Sequence, residues 1–415
     1  MEPGALEHLA GVRETLGLGP HVLLVADVNT YEAAGRNCEK LLRAGGCSPS
    51  VSLFTTTKRI VPDEAAREKI FHDLRPETDF LAAVGSGTIN DLVRYVGFKT
   101  GKPFLSVPTA PSMDGYTSVV SPLITRGFKR TYYAAAPVAV YADLNILKEA
   151  PAPLIAAGFG DLLGKLTARA DWILSHIVNG EYYCEHVAGL VKQAVTTCIA
   201  NRCGLVLRDE KAVRALIEGL LLTGLAMLWV NASRPASGAE HLLAHFWEMK
   251  GLLRGEFKLL HGAAVGVGAW LAGRIYQLVF AMDFQKLDLE QLSAAAPTRD
   301  RWETTMQRVY GSLFADVRAE NKDRKFTREE RLAELKKLVD TEDRWRRSVR
   351  EFFPDAGEIR NFLHAAGAPA VPAELGVSPE EVREGIRYAK ECRRRYTVLK
   401  AAELLGRVEE IAESF

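Results

Sequence analysis

The stretch Asp79-Phe80-Leu81-Ala82-Ala83-Val84-Gly85-Ser86-Gly87-Thr88-Ile89-Asn90-Asp91 runs from an apolar segment through two glycines into a helical pattern. It predicts a buried strand over 79–84, a tight turn and then a helix. Outward from it, short apolar runs at 21–26, 51–55 and 104–107 alternate with helical periodicity at 31–44 and 62–74, the second opening on Pro62 at its first turn. Strands alternating with helices are the mark of a parallel sheet wrapped by helices. The segment 118–144 changes character: β-rich runs flank Arg126-Gly127, predicting a hairpin and a last strand at 138–141. From Pro151 onward nearly every stretch reads as helix, with Ala150-Pro151-Ala152-Pro153 as a hinge. The expected organisation is an α/β domain over 1–150 and an all-helical domain over 151–415.

A chain of 415 residues exceeds what one hydrophobic core usually supports, and 47% hydrophobic residues are enough for two. Its 53 basic residues nearly balance 52 acidic ones, so no electrostatic case exists for nucleic acid or an anionic membrane surface. The local exception, Arg393-Arg394-Arg395, reads as a solvated helix face. Six scattered cysteines form no CxxC pair and fit a reducing, cytoplasmic compartment. Met1-Glu2-Pro3-Gly4 leads into no basic and apolar signal segment, and the uncharged runs 219–233 and 259–273 fall short of a membrane span. Both runs read as buried helices.

Chemistry is carried by three regions. Glycines in Gly85-Ser86-Gly87 let backbone N–H groups approach a phosphate, and the following helix N-terminus adds about half a positive charge. The turn departs from G-x-G-x-x-G, so an ordinary Rossmann fingerprint is not met, and a plain tight turn is the competing reading. The second region, Pro108-Thr109-Ala110-Pro111-Ser112-Met113-Asp114-Gly115-Tyr116-Thr117-Ser118, follows the next strand. Parallel sheets bind ligands beyond the carboxyl ends of their strands, although a self-capped proline turn would look the same. In the helical half, Asp161 is expected to open a helix running on through Lys165. His241 and His245 sit four apart on one helical face, and His261 opens a Gly/Ala-rich helix able to pack closely. Two histidines and a carboxylate suit zinc or another divalent transition metal with a coordination position left for substrate. Singly, Asp161 paired with Lys165 and His241 as a hydrogen-bonded core histidine are the plainer readings.

Taken in order, G-S-G-T-I-N-D, P-T-A-P-S-M-D-G-Y-T-S, G-F-G-D-L-L-G-K, S-G-A-E-H-L-L-A-H and H-G-A-A-V-G resemble the dehydroquinate synthase and iron-type alcohol dehydrogenase superfamily. Within it, the chain is similar to the sn-glycerol-1-phosphate dehydrogenases in their longer bacterial form. The likeness extends from about residue 22 to residue 406 and includes Arg394-Arg395-Tyr396-Thr397-Val398-Leu399. It implies a dehydroquinate synthase-like fold and a homodimer. Asp161, His241 and His261 are implied as ligands of one divalent metal, Zn2+ or Ni2+. For NAD(H) or NADP(H), the resemblance implies Gly85, Ser86, Gly87, Thr88, Asn90 and Asp91 at the pyrophosphate. Thr109 and Ser112 fall near the nicotinamide ribose, Ser118 on the same cofactor side, and Asp27 at the adenosine ribose. His245 is implied in proton transfer or substrate contact, and Asp114 as a substrate-side carboxylate.

The implied reaction is hydride transfer between the nicotinamide and a small phosphorylated three-carbon substrate, interconverting dihydroxyacetone phosphate and sn-glycerol 1-phosphate. Lys165, one helical turn beyond Asp161, is the candidate phosphate anchor. Glycerol dehydrogenase and dehydroquinate synthase-like chemistry share the fold and remain alternatives, as does a non-catalytic nucleotide-binding regulator. No nucleic acid and no membrane span are expected.

Overall fold

A computed structural model describes residues 1–56 and 58–415. The strands in chain order are β1 (His21–Asp27), β2 (Ser48–Phe54), β3 (Phe80–Gly85), β4 (Phe104–Pro108), β5 (Val120–Thr125), β6 (Phe128–Tyr133) and β7 (Ala139–Val140). Five of them form a parallel sheet in the order β2-β1-β3-β4-β7, while β5 and β6 pair as the antiparallel hairpin. All predicted strands are present, with ends displaced by a few residues.

Alternate side chains of β1 explain why helices lie on both sheet faces. Val22, Leu24 and Ala26 pack with Cys38 and Leu42 of α1 (Arg36–Ala44). Leu23 and Val25 face the other way, against Ile70 of α2 (Glu64–Asp73) and Leu92 and Val96 of α3 (Gly87–Thr100). The expected helix at 31–44 begins with a π-turn over Tyr31–Gly35 before becoming regular. Pro62 stands just outside its helix rather than in the first turn: the Asp63 carboxylate caps α2 by accepting from the Ala66 N–H at 3.0 Å.

Strand order reverses between β1 and β3, since the chain steps from β1 out to β2 and then back across to β3. A crevice beyond the carboxyl ends of two strands at such a switch point is where open α/β sheets receive ligands. Asp27 ends one of these strands and Gly85 the other.

The helical region opens with α4 (Ala152–Leu163) and α5 (Lys165–Asn179), separated at Gly164. Asp161 therefore lies in the last turn of α4 and does not open a helix containing Lys165, as the sequence reading had it. Next come α6 (Glu185–Val206), α7 (Glu210–Val230), α8 (Ala239–Leu253) and α9 (His261–Phe280), with α10 (Val398–Leu404) near the end. The chain divides into two compact units. The first comprises Met1–Leu162, Gln193–Ala232 and Ala365–Gly367, and the second Leu163–Lys192, Ser233–His364 and Ala368–Phe415.

Helices α7 and α9, of 21 and 20 residues, are long and apolar enough to cross a membrane, exceeding the uncharged runs read from the sequence. In α9, 72% of the apolar window is buried, and in α7 56%, which is how core helices behave. Arg393-Arg394-Arg395 is a loop rather than a helix face, because Arg395 turns inward to donate to the Ser237 carbonyl and, at 2.6 Å, to Ser233 Oγ. Arg394 is exposed and pairs with Asp323.

Candidate active site

In the first unit, β3 delivers the chain into Gly85-Ser86-Gly87, and α3 starts at Gly87. Ser86 is extended and spends no side-chain hydrogen bond on capping α3. The N-terminus of this 14-residue helix therefore follows the carboxyl end of β3 with no Ser86 side chain capping it, an arrangement open to a phosphate. A Cβ at Gly87 would lie 2.9 Å from Met113 Cγ, so the turn already has a neighbour where a side chain would go.

Asn90 and Asp91 find partners within the protein. Asn90 Oδ1 accepts from Ser106 Oγ at 2.8 Å, binding α3 to β4. Asp91 Oδ1 accepts from the fully buried Arg94 at 2.8 Å, while burial pushes its carboxyl upward against the pull of that guanidinium. Arg94 also donates to the carbonyls of Gly115, Tyr116 and Val120, at 3.1 and 2.9 Å for the last two. Asp91 and Arg94 therefore brace the 108–118 loop from beneath.

Other bonds fix the same loop. Ser118 Oγ donates to Gly115 O and Val120 O at 3.1 and 3.2 Å, and Tyr116 OH to Ala110 O at 2.6 Å. Ser112 Oγ lies 3.4 Å from Tyr116 OH, and the Thr109 N–H donates to Gly85 O. Helices approach it through bare backbone: a Cβ on Gly158 of α4 would fall 1.7 Å from Pro111 O, and one on Gly224 of α7 2.2 Å from Thr117 Oγ1. The Asp114 N–H donates to Asp161 Oδ2 at 3.1 Å, so the loop and the fully buried Asp161 are joined. Asp27 Oδ1 accepts from the N–H groups of Asn29 and Thr30 at 2.8 and 2.9 Å, which holds its carboxylate at the end of β1.

In the second unit, α8 and α9 bring His241, His245 and His261 together. Ring centroids are 6.0 Å apart for His241 and His245, 5.3 Å for His241 and His261, and 5.4 Å for His245 and His261. The Gly/Ala pattern of α9 permits this approach, since a Cβ on Gly268 would sit 2.6 Å from Glu240 O. His241 Nδ1 lies 2.8 Å from Glu240 Oε1, and His261 Nδ1 2.8 Å from Glu248 Oε1. Ligand atoms of His245, Glu248 and His261 all fall within 4.8 Å of one another. Imidazoles clustered around carboxylates at this spacing fit a divalent transition metal.

Glu240 is itself anchored, accepting from Thr167 Oγ1 at 2.6 Å and the Gly238 N–H at 2.5 Å, and burial pushes its carboxyl up. Lys165 is buried, and its ammonium donates to Ala236 O at 3.0 Å, just ahead of α8. Sequence reasoning missed Glu240, Glu248 and Arg395. The signal for Glu248 was available: 241, 245 and 248 follow one helical stripe. Nothing local marks Arg395, whose partners lie 158 and 162 residues away.

This fold and site define the class. A family model described as iron-containing alcohol dehydrogenase matches residues 1–151. The fold is shared with a glycerol dehydrogenase from Schizosaccharomyces pombe at a TM-score of 0.63 and 14% identity, over 100% of this chain and 89% of that one. Curated relatives narrow the class. A glycerol-1-phosphate dehydrogenase [NAD(P)+] of Bacillus velezensis is 36% identical over 91% of this chain and 84% of its own. One of the same name from Thermococcus kodakarensis is 37% identical over 66% of this chain and 78% of its own. The chain belongs to the glycerol-1-phosphate dehydrogenase family.

The geometry of the turn generates a test. In Gly87→Val, a branched side chain enters the space of Met113 and of any pyrophosphate above the α3 N-terminus, so cofactor affinity should fall by roughly tenfold or more. Fluorescence titration with NADH and NADPH measures it, with circular dichroism showing an intact fold; unchanged affinity would make the turn purely structural.

Proposed function

We propose that this chain is a cytoplasmic, homodimeric NAD(P)-dependent oxidoreductase that interconverts dihydroxyacetone phosphate and sn-glycerol 1-phosphate. The observation carrying the proposal is the pair of imidazoles, His241 and His261, each held by a carboxylate at Nδ1, in a chain of this family. Asp161, His241 and His261 are the residues that would hold the metal. When bound, a divalent Zn2+ or Ni2+ ion supplies Lewis acidity toward the substrate carbonyl.

The chain's own residues do the rest. Gly85, Ser86, Gly87 and Thr88 receive the pyrophosphate, with Asn90 and Asp91 fixing the helix beneath it. Asp27 meets the adenosine ribose, and Thr109, Ser112 and Ser118 shape the nicotinamide side. When bound, the nicotinamide cofactor would supply hydride exchange with C2 of the substrate; reduction also takes up one proton, which His245 delivers to the alcohol oxygen. Asp114 contacts the substrate from the braced loop. Lys165 anchors the phosphate, its buried ammonium positioned by a bond to Ala236 O at 3.0 Å. Orientation of one carbonyl face against the nicotinamide accounts for the stereochemistry.

Reduction of dihydroxyacetone phosphate with NADH or NADPH should give sn-glycerol 1-phosphate, identified by chiral analysis. Chelation should abolish it, and zinc or nickel should restore it. Formation of the 3-phosphate enantiomer, or full rates in a verified metal-free preparation, would refute the reading. His241→Ala should lose metal and rate together, whereas His245→Ala should keep metal, by elemental analysis, and lose mainly rate. Lys165→Met should lower kcat/KM for dihydroxyacetone phosphate by about ten- to a hundredfold while changing reduction of unphosphorylated dihydroxyacetone far less. Equal losses on both substrates, with metal content intact, would remove Lys165 as the anchor.

A further inference from the structure

The neutral imidazole ring offers a lone pair at one nitrogen only, and the nitrogen carrying hydrogen cannot bind a metal. In a free neutral histidine the Nε2–H form predominates, which leaves the lone pair at Nδ1. For His261 that arrangement would set the lone pair against Glu248 Oε1, 2.8 Å away. Two acceptors facing each other inside a mostly buried pair is unfavourable, so the carboxylate selects the Nδ1–H tautomer and turns the lone pair to Nε2. His241 meets the same constraint at Glu240 Oε1, also 2.8 Å from its Nδ1.

We propose that Glu248 and Glu240 are positioning residues that fix the Nδ1–H tautomer of His261 and His241, so that each ring presents Nε2 to the metal before it arrives. The inference rests on the metal assignment above and goes beyond it in naming what prepares the ligands. Glu248 reaches from α8 to the first residue of α9 and so fixes ring orientation across two helices as well as the proton. Its negative charge also raises the basicity of the ligating nitrogen. Glu240 does this for its own neighbour while accepting from Thr167 and the Gly238 N–H, so its replacement would disturb the start of α8. Glu248 is therefore the residue to test.

The experiment uses the full chain stripped of metal, as wild type, Glu248→Gln and Glu248→Ala. Zinc affinity is measured by competition with a chromophoric chelator, and the protonated nitrogen of His261 by NMR of protein containing 15N-labelled histidine, in the metal-free state. Wild type should show His261 as Nδ1–H. The glutamine variant keeps an acceptor oxygen but not the charge, and its zinc affinity should fall roughly tenfold; the alanine variant should fall by about a hundredfold and shift His261 toward Nε2–H. If the alanine variant does not fold, the glutamine variant carries the test alone. Unchanged zinc affinity in Glu248→Gln, or Nε2–H at His261 in the wild type, overturns the positioning role. Zinc lost below detection in Glu248→Gln with Nδ1–H retained would make Glu248 a ligand and overturn it equally. Wild-type protein that takes up no zinc overturns the metal reading itself, a result distinct from these.

Discussion

The Asp171 carboxylate, fully buried on α5, accepts three hydrogen bonds, each of 2.7 Å: from the Ala239 N–H at the start of α8, from Tyr276 OH on α9, and from the Val398 N–H at the start of α10. A carboxylate taken out of water is costly unless its lone pairs are filled, and burial pushes this one up to about 7 while the three donors pull it back. One side chain thereby fixes the start of the helix that carries His241 and His245 relative to the helix that begins with His261. Lys165 and Arg395 support the same strip, donating to the consecutive carbonyls of Ala236 and Ala236's neighbour Ser237. Through this buried polar frame the helices that carry His241, His245 and His261 are set against each other.

A similar logic operates in the first unit, where a cation is at the centre. Arg94 gathers the carbonyls of Gly115, Tyr116 and Val120 and is balanced by Asp91. Taking such a pair out of water costs much of what its attraction returns, and what the bonds of Arg94 visibly do is hold the backbone of the 108–118 loop. The loop after β4 is thus irregular in backbone yet fixed in place, with Asp114 tied to Asp161 at one end and Thr117 Oγ1 donating to Leu221 O at 2.6 Å at the other.

Much of this was legible in the sequence because the signals were local. Strand and helix periods located every strand of the parallel sheet, and the Gly/Ala pattern after His261 correctly implied a helix that packs closely. Local rules failed where a distant partner decides the outcome. The triple arginine at 393–395 reads as solvent-exposed by charge alone, yet Arg395 is drawn inward by acceptors near residue 235. The pattern around Asp161 is helical on both sides, and only the structure shows the break at Gly164. Asn90 and Asp91, expected at the cofactor from their place after the glycines, also tie the start of α3 to its neighbours through Ser106 and Arg94, which no local pattern announces.

X-ray absorption at the metal edge, on chain reconstituted with zinc or nickel, tests the central claim most directly. Two imidazole nitrogens together with carboxylate and solvent oxygens, at about 2.0–2.1 Å for zinc, are predicted. A shell containing sulfur, or three imidazoles with no carboxylate oxygen, would contradict the account.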